Sequence, residues 1–383
     1  MTGTEVIDSP AVLRREWAAW DALAVAASRP YGAPGWALSW WSAAAPPGGE
    51  LRVVTVRAGA RLVGLAPFHV TRDRFGIATW ALLGDGASSY LEPLAIPAAR
   101  YDVAAAVAAA VAGTDRTADV VSLGDVARTT PWPRLLSEHW PRRRPRLSAV
   151  SSMRAPYLDI GDGGYDAWLG GRSHGFRQQA RRLRRELARR DGWIRVAATP
   201  AEVTSGLAQL ERLHRLRWEP RGGSQALTPP VVAMLRQAGG SMDPARFQVW
   251  TAGTGADVFA AGLFVGAGTE LHYWLGGFDA AWARWSPSLL LLDEVVRCAA
   301  ECGYRRVALG PGAGAYKYRF ATGEDVLDRV DLLPRGRRYP YVRMCQSPYR
   351  LYRVASNRTP PEVKKRIRAS AGMVRGHLRA ETV

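Results

Sequence analysis

Cysteine is scarce in this chain. Three residues in 383 exclude a disulfide framework and any convincing metal cluster. Cys298 and Cys302 are four apart on a predicted helix and share a face, but no further cysteine or histidine accompanies them, so buried packing is their expected role. Lysine is nearly absent, and almost all positive residues are arginine. Acids fall well short of bases: 34 Asp+Glu face 52 Lys+Arg, a net charge of +18. That excess suits an anionic partner, whether a phosphate-bearing cofactor, RNA or an acidic membrane surface. GC-rich coding, with its arginine, alanine, glycine and proline, accounts for the bulk excess equally well. Long apolar runs are missing. Residues 103–112 reach only half the length of a membrane span. No basic segment followed by an apolar run opens the chain, so no signal peptide is expected. A cytoplasmic protein is expected, at most peripheral to the inner face of the membrane. There is no Gly-x-Ser-x-Gly elbow and no metal motif. Gly84-Asp85-Gly86 lacks the downstream ligands of a calcium loop.

What is present is enough for a sizeable core. Hydrophobic residues make up 47% of the chain, and its length suits two domains. The most regular stretch runs from Val249 to Arg319. Apolar runs at 247–251, 258–265 and 271–275 have period-2 character and are separated by short Gly-, Thr- and Asp-rich turns. They predict an antiparallel meander. Residues 289–302 return to helical spacing, and Gly303 stands where a left-handed cap would end that helix. A short strand follows at 306–309, then Gly310-Pro311-Gly312-Ala313-Gly314-Ala315. This glycine run is read as a ligand-facing turn rather than a dinucleotide fingerprint.

The same β-β-β-α-β order occurs earlier, with strands at 51–57, 62–70 and 78–83, a helix at 101–112 and a strand at 120–123. The repeat is one of pattern more than of residues, and it predicts a duplicated lobe. The expected divisions are 1–147, a first lobe without a cofactor site; 148–333, a second lobe with the chemistry; and 334–383, a basic tail. Residues 142–146 are read as a Pro-flanked linker. The segment 172–187 predicts a basic helix with Phe176, Ala180, Leu183 and Leu187 on its apolar face. Its arginines form either a solvated face or a surface for phosphates. Residues 202–218 predict a second amphipathic helix, broken by Arg221-Gly222-Gly223-Ser224. In the tail, Tyr339, Tyr341, Tyr349 and Tyr352 interleave with arginines, and 362–377 predicts a cationic helix.

The second half resembles the GNAT superfamily, in the branch called CelD/BcsL-type acetyltransferases, close to the FemAB-like peptidyltransferases. The resemblance lies in the Arg-rich segment 172–190, Leu213-His214 with Arg217-Trp218, and Gly222-Gly223-Ser224. It extends to Arg284-Trp285-Ser286-Pro287-Ser288-Leu289-Leu290 and Tyr316-Lys317-Tyr318-Arg319-Phe320. It covers about residues 165–325. It implies an α/β (α+β) fold of tandem GNAT-like lobes, each a mostly antiparallel sheet flanked by helices. It implies transfer of an acyl group from acetyl-CoA or another acyl-CoA to an amine or hydroxyl, without a metal. The donor's pantetheine arm would follow the strand at 271–276, with Tyr273 and Leu275. Its pyrophosphate would meet free amides at the helix start, near Arg284, Ser286, Ser288 and Leu289. Pro287 and Ser288 depart from the glycines usual there, and Pro287 removes one donor.

Candidate catalytic residues are His214 and His272 as bases, Tyr316 as proton donor to the leaving thiolate, and Lys317 as an anion-binding group. His214 reads equally well as a structural histidine near a helix end. His272 and Tyr273 alternate, so only one of them reaches the acceptor. Arg177, Arg181, Trp218, Ser224 and Trp274 are the expected acceptor-side residues. Asp293 and Glu294 are expected to be surface or structural charges. The acceptor would be a small molecule or an envelope glycan or lipid. Two other functions remain open. One is a FemAB-like transferase that takes its group from aminoacyl-tRNA, with the basic helix and tail gripping RNA. The other is a non-catalytic GNAT-fold scaffold held on an anionic membrane by its tail.

Overall fold

The computed structural model describes residues 2–113, 118–219, 223–224, 226–312 and 314–346. The first half contains β1 (Thr2–Ile7), α1 (Pro10–Arg15), α2 (Trp17–Ala26), α3 (Pro34–Ala44), β2 (Glu50–Ala58), β3 (Arg61–Arg72), β4 (Ala78–Leu82) and β5 (Leu94–Ala95). It continues with α4 (Arg100–Gly113), β6 (Val120–Ala127), α5 (Trp132–Glu138) and β7 (Arg146–Asp159). The second half contains α6 (Gly164–Gly170), α7 (His174–Ala188), β8 (Gly192–Val196), α8 (Pro200–Trp218), α9 (Pro229–Ser241), β9 (Phe247–Thr254), β10 (Asp257–Ala267) and β11 (Glu270–Phe278). It ends with α10 (Pro287–Glu301), β12 (Arg306–Ala308), α11 (Ala315–Tyr318) and β13 (Gly323–Leu333).

Local chemistry explains the main helix limits. Thr199 and Glu202 form a capping box at the start of α8, and Pro200 occupies the first turn, where no amide is needed. Ser173 caps α7 by accepting from the Phe176 amide at 3.2 Å. Gly303, at φ +81, ends α10 in the left-handed conformation that its position in the sequence predicts.

The strands form one sheet in the order β1-β2-β3-β4-β6-β13-β7-β12-β11-β10-β9-β8, with β5 paired to β3. Two pairs are parallel, β4 with β6 and β11 with β12. Each parallel pair needs a crossover, which α4 and α10 supply. The meander β9-β10-β11 is antiparallel, as the period-2 runs predict. The duplicated pattern is therefore real at the level of topology: β2-β3-β4-α4-β6 and β9-β10-β11-α10-β12 have the same order and the same parallel step. In both units a glycine lies under the crossover helix. A Cβ on Gly64 would collide with Val103 of α4, and one on Gly262 would lie 3.0 Å from Leu291 of α10.

The last strand of each half is exchanged. β7 pairs with β12 of the second half, and β13 pairs with β6 of the first. β7 and β13 also pair with each other along nearly their whole length. A division at 147/148 thus falls inside β7, and residue 146, assigned to a linker from sequence, is its first residue. The Pro-flanked arginines end at a strand because Leu147 onward finds partners in β13, which is nearly 180 residues away. The tail is not separate at its start either. Val342 packs with Ile77, Val120 and Leu333, Arg338 pairs with Asp119 at 3.0 Å, and the Tyr341 hydroxyl donates to the Phe75 carbonyl at 3.0 Å. Tyr349, Tyr352 and the helix expected at 362–377 lie outside the described residues.

One core joins the halves. The cluster built on Trp20, Trp36, Phe68 and Trp80 continues into Leu207, Leu210 and Leu213 of α8 and Phe247 of β9. A second core lies on the other face of the β9–β12 sheet, where α6, α7 and α10 pack through Trp168, Phe176, Leu183, Val295 and Phe320. The face predicted for α7 is the buried one, with Phe176, Ala180 and Leu183 inside. No helix among the described residues is long and apolar enough to cross a membrane.

Candidate active site

The site grows from an opening in the sheet. β11 pairs with β12 only over Glu270–His272 against Arg306–Ala308. Beyond those residues β12 stops, and Gly310 turns the chain at φ +73. The two strands part there. On its other edge β11 carries a bulge: Tyr273 opposes Phe264 and Leu275 opposes Leu263, so Trp274 is the extra residue. The Trp274 indole donates to the Ala87 carbonyl of the first half at 2.8 Å. The bulge therefore ties the second lobe's central strand to the first lobe's loop 84–90.

A groove of about 250 Å³ opens at the start of α10, bounded by Phe278, Ser286–Leu289, Arg217, Tyr316, Arg319 and Phe320. Ser286, Ser288 and Leu289, expected at a donor site, line it. Arg284 does not; its guanidinium stacks on Trp285 at 4.7 Å. Few amides are free at this helix start. Pro287 has none, and the Leu289 and Leu290 amides both bond the Ser286 carbonyl, at 2.9 and 3.1 Å. Arginines add positive charge: Arg217 lies 4.8 Å from the Phe278 ring, and Arg319 donates to Gln179 at 2.6 Å. Gln179 in turn donates to the Ser286 hydroxyl at 3.3 Å. Guanidinium groups on a floor of aromatic and apolar residues suit a phosphate-bearing ligand with an apolar arm.

A cavity of about 240 Å³ lies between the lobes. The first lobe contributes Tyr31, Ser88, Ser89, Tyr90 and Asp125, and the second contributes His272, Trp274, Gly310 and Pro311. Tyr273 and Tyr316 connect the two spaces. Tyr273 lines the cavity, Tyr316 lines the groove, Tyr316 raises the proton affinity of Tyr273 while Tyr273 lowers that of Tyr316, and the backbone turn at Gly310 approaches the Tyr273 carbonyl. Burial raises the pKa of both phenols, so they stay protonated at neutral pH.

Other expected residues have different roles. Lys317 is 8% exposed and donates to the Gly310 and Pro311 carbonyls, at 3.1 and 2.9 Å. It holds the glycine turn, and burial lowers its pKa to about 8. As placed, its ammonium meets two carbonyls rather than a phosphate. His214 is buried against β11, where a Cβ on Gly277 would lie 2.8 Å from the His214 amide. It lines neither the groove nor the cavity. Burial lowers its pKa, and neither ring nitrogen has a hydrogen-bond partner among the described residues. Trp218 stacks loosely on His214, with ring centroids 6.1 Å apart. Arg177 donates to the Gly170 and Arg172 carbonyls, at 2.9 and 2.5 Å, and so fastens the α6–α7 connection. Arg181 is exposed on the basic face of α7. Ser224 accepts from the Ala226 amide at 3.1 Å in a local turn, beside Arg221 and Gly222, which lie outside the described residues. Leu275 lies in β11 just past the bulge. Asp293, expected among surface or structural charges, is 1% exposed and buried between α10, α6 and α7. It pairs with Arg184 at 2.8 Å and accepts from the Tyr165 hydroxyl at 2.7 Å. Sequence reasoning missed Tyr31, Tyr90, Ser88 and Glu270. The loop at 84–89 was visible, but nothing in its composition points to a strand nearly 190 residues away.

Among the described residues no group of histidine, cysteine, aspartate or glutamate could hold a metal. Residues 174–318 match the family model described as acetyltransferase (GNAT) domain. No curated protein matches the chain. Among solved structures the fold is similar to FemX, with a TM-score of 0.60 and 10% identity over 82% of this chain and 94% of that one. It is also similar to the C-terminal domain of a protein named as a lysylphosphatidylglycerol synthetase from Agrobacterium fabrum. There the TM-score is 0.54 and identity 11%, over 84% and 92% of the two chains. A protein of unknown function from Bacteroides thetaiotaomicron has a TM-score of 0.53 at 10% identity, over 87% of this chain and all of that one. These likenesses concern the fold. The groove, the parted strands and Tyr316 all lie within or border the segment that matches the acetyltransferase (GNAT) domain, and that match makes acyl transfer the class of chemistry.

Proposed function

We propose that the protein transfers an acyl group from a coenzyme A thioester in the α10 groove to an amine or hydroxyl that enters through the inter-lobe cavity. The observation that carries this reading is the parting of β11 and β12, with Tyr273 on the wall of the cavity and Tyr316 on the wall of the groove. Acyl transfer needs alignment of two reactants, a route for one proton and stabilisation of the oxyanion. A thioester supplies an activated carbonyl and a good leaving group. The protein's part is to seat it: Arg217 and Arg319 suit the phosphates, Phe278 and Leu289 the apolar arm. Tyr316, kept protonated by burial, is placed to give a proton to the thiolate. The first lobe then acts as the acceptor platform. The finer placement in the CelD/BcsL branch, and with it an envelope-polysaccharide, lipid or specialised-metabolite acceptor, rests on the residue pattern at 172–190, 284–290 and 316–320.

Calorimetry with acetyl-CoA and longer acyl-CoAs tests the donor. Binding at the groove, weakened by Arg319→Ala, is expected; no heat with any of them overturns the reading. A second reading, transfer from aminoacyl-tRNA, is favoured by one observation. The α10 start is poor in free amides, while the arginine face of α7 adjoins the groove through Gln179. Retention of charged tRNA that falls steeply with salt, in place of acyl-CoA binding, would select it.

A further inference from the structure

His272 lies on the wall of the inter-lobe cavity, 2% exposed, between the rings of Tyr31 and Tyr90 at 5.4 and 5.2 Å. Its Nε2 is 2.9 Å from Glu270 Oε2. An imidazole nitrogen facing a carboxylate is the protonated one, so Nε2 donates and Nδ1 keeps its lone pair. Nδ1 has no hydrogen-bond partner among the described residues. A buried acceptor left unpaired costs free energy, and a ligand that brings a donor removes the cost.

Glu270 is fixed in turn. Arg29 Nη1 lies 3.6 Å from it, and Arg29 Nε donates to Glu92 at 2.8 Å. Arg29 and Glu92 belong to the first lobe, Glu270 and His272 to the second. Other charged and titratable groups around the ring are Arg306 on β12 and Asp325 on β13. Asp325 accepts from both Arg306 and the Tyr90 hydroxyl, at 2.8 and 2.9 Å. Asp125 lines the same cavity.

We propose that His272, held by Glu270, is the base that takes the proton from the acceptor's nucleophile in the inter-lobe cavity. This rests on the acyl-transfer reading above and names the residue that activates the acceptor. The acceptor N–H or O–H gives its proton to Nδ1, and its lone pair forms the new bond to the thioester carbonyl carbon. The C–S bond breaks, and the thiolate takes the Tyr316 proton. The proton on His272 then restores Tyr316 through solvent, so one acyl group and one proton change places and nothing is oxidised or reduced. Glu270 acts as a positioning residue. Burial keeps His272 neutral at neutral pH, while Glu270 raises its proton affinity.

The test uses the full chain, acetyl-CoA as donor and ethanolamine, which carries both an amine and a hydroxyl, as probe acceptor. Thiol release and acetyl-CoA affinity are measured separately. His272→Gln should lower kcat/KM by about 100-fold, the usual range for a lost general base, with acetyl-CoA affinity within about twofold. Glu270→Gln removes the group that raises the His272 pKa. The acidic limb of the kcat/KM profile should therefore move to lower pH. A merely structural glutamate would leave that limb in place. Thermal unfolding is followed for both variants, and the partly exposed Glu270 carries the test if His272→Gln does not fold. Unchanged turnover in His272→Gln, or an unmoved limb in Glu270→Gln, overturns the assignment while the donor reading stands. Wild-type protein that binds acetyl-CoA but releases no thiol above the buffer rate also overturns it. Absence of acetyl-CoA binding defeats the donor reading and the base with it.

Discussion

Tyr316 and Lys317 are neighbours in sequence with different surroundings. Successive residues of a helix point about 100° apart, so the four-residue α11 sends Tyr316 into the groove and Lys317 back under the glycine turn. An aromatic residue and a lysine after Gly310-Pro311-Gly312 are legible in sequence as a ligand-facing pair. Which of them faces the ligand depends on the rotation of a helix too short to show any periodicity. Lys317→Met should therefore cost stability: two buried carbonyls lose their donor, at about 1–3 kcal/mol in denaturant unfolding. Tyr316→Phe should keep the wild-type midpoint and lower turnover. A Lys317→Met variant with unchanged stability would return Lys317 to the ligand side. The histidines show the same limit. Alternation told that His272 and Tyr273 face opposite ways, but nothing in the sequence told that the His272 side meets another lobe.

At the scale of elements, α10 was well marked. Its apolar spacing, its proline start and its terminal Gly303 all predict a helix, and one forms over 287–301. The burial of Asp293 was not marked. Leu289, Leu290, Leu291 and Leu292 are all buried, so more than one face of α10 is covered, and the second covering comes from α6 and α7. The acid sits under that covering, with Arg184 and Tyr165 as partners. Asp293→Ala should lower unfolding stability by about 1–3 kcal/mol, since two donors lose one shared acceptor. Arg184 remains half exposed and can reach water, which limits the loss. Loosening of α7 should also disturb the Gln179–Ser286 contact, so acyl-CoA affinity is expected to fall with stability. Affinity that survives in a destabilised Asp293→Ala protein would separate the helix anchor from the groove.

The whole molecule is held by an exchange. β7 completes the second lobe's sheet and β13 the first's, so neither lobe has all its strands from its own half. Fragments 1–147 and 148–383 made separately should be insoluble or aggregate through the unpaired edges of β6 and β13, which face each other in the intact chain. Co-expression with the cut moved to the exposed turn at 161–163 should restore more soluble protein, read by gel filtration. Two fragments cut at 147 that are each monomeric and cooperative would contradict the exchange. The sequence alone determined the elements whose signals are local: the β-β-β-α-β unit and its earlier copy, the amphipathic character of α7 and α8, and the Gly303 end of α10. Local periodicity and turn chemistry act within a few residues and so can be read there. Only the tertiary structure decided the strand exchange, the parting of β11 from β12, and the meeting of His272 and Glu270 with Arg29, Tyr31 and Tyr90. The contacts of His272 and Glu270 join residues some 180 to 245 positions apart and those of the exchanged strands some 145 to 210, and they exist because the strands of both halves merge in one sheet, which no local pattern records.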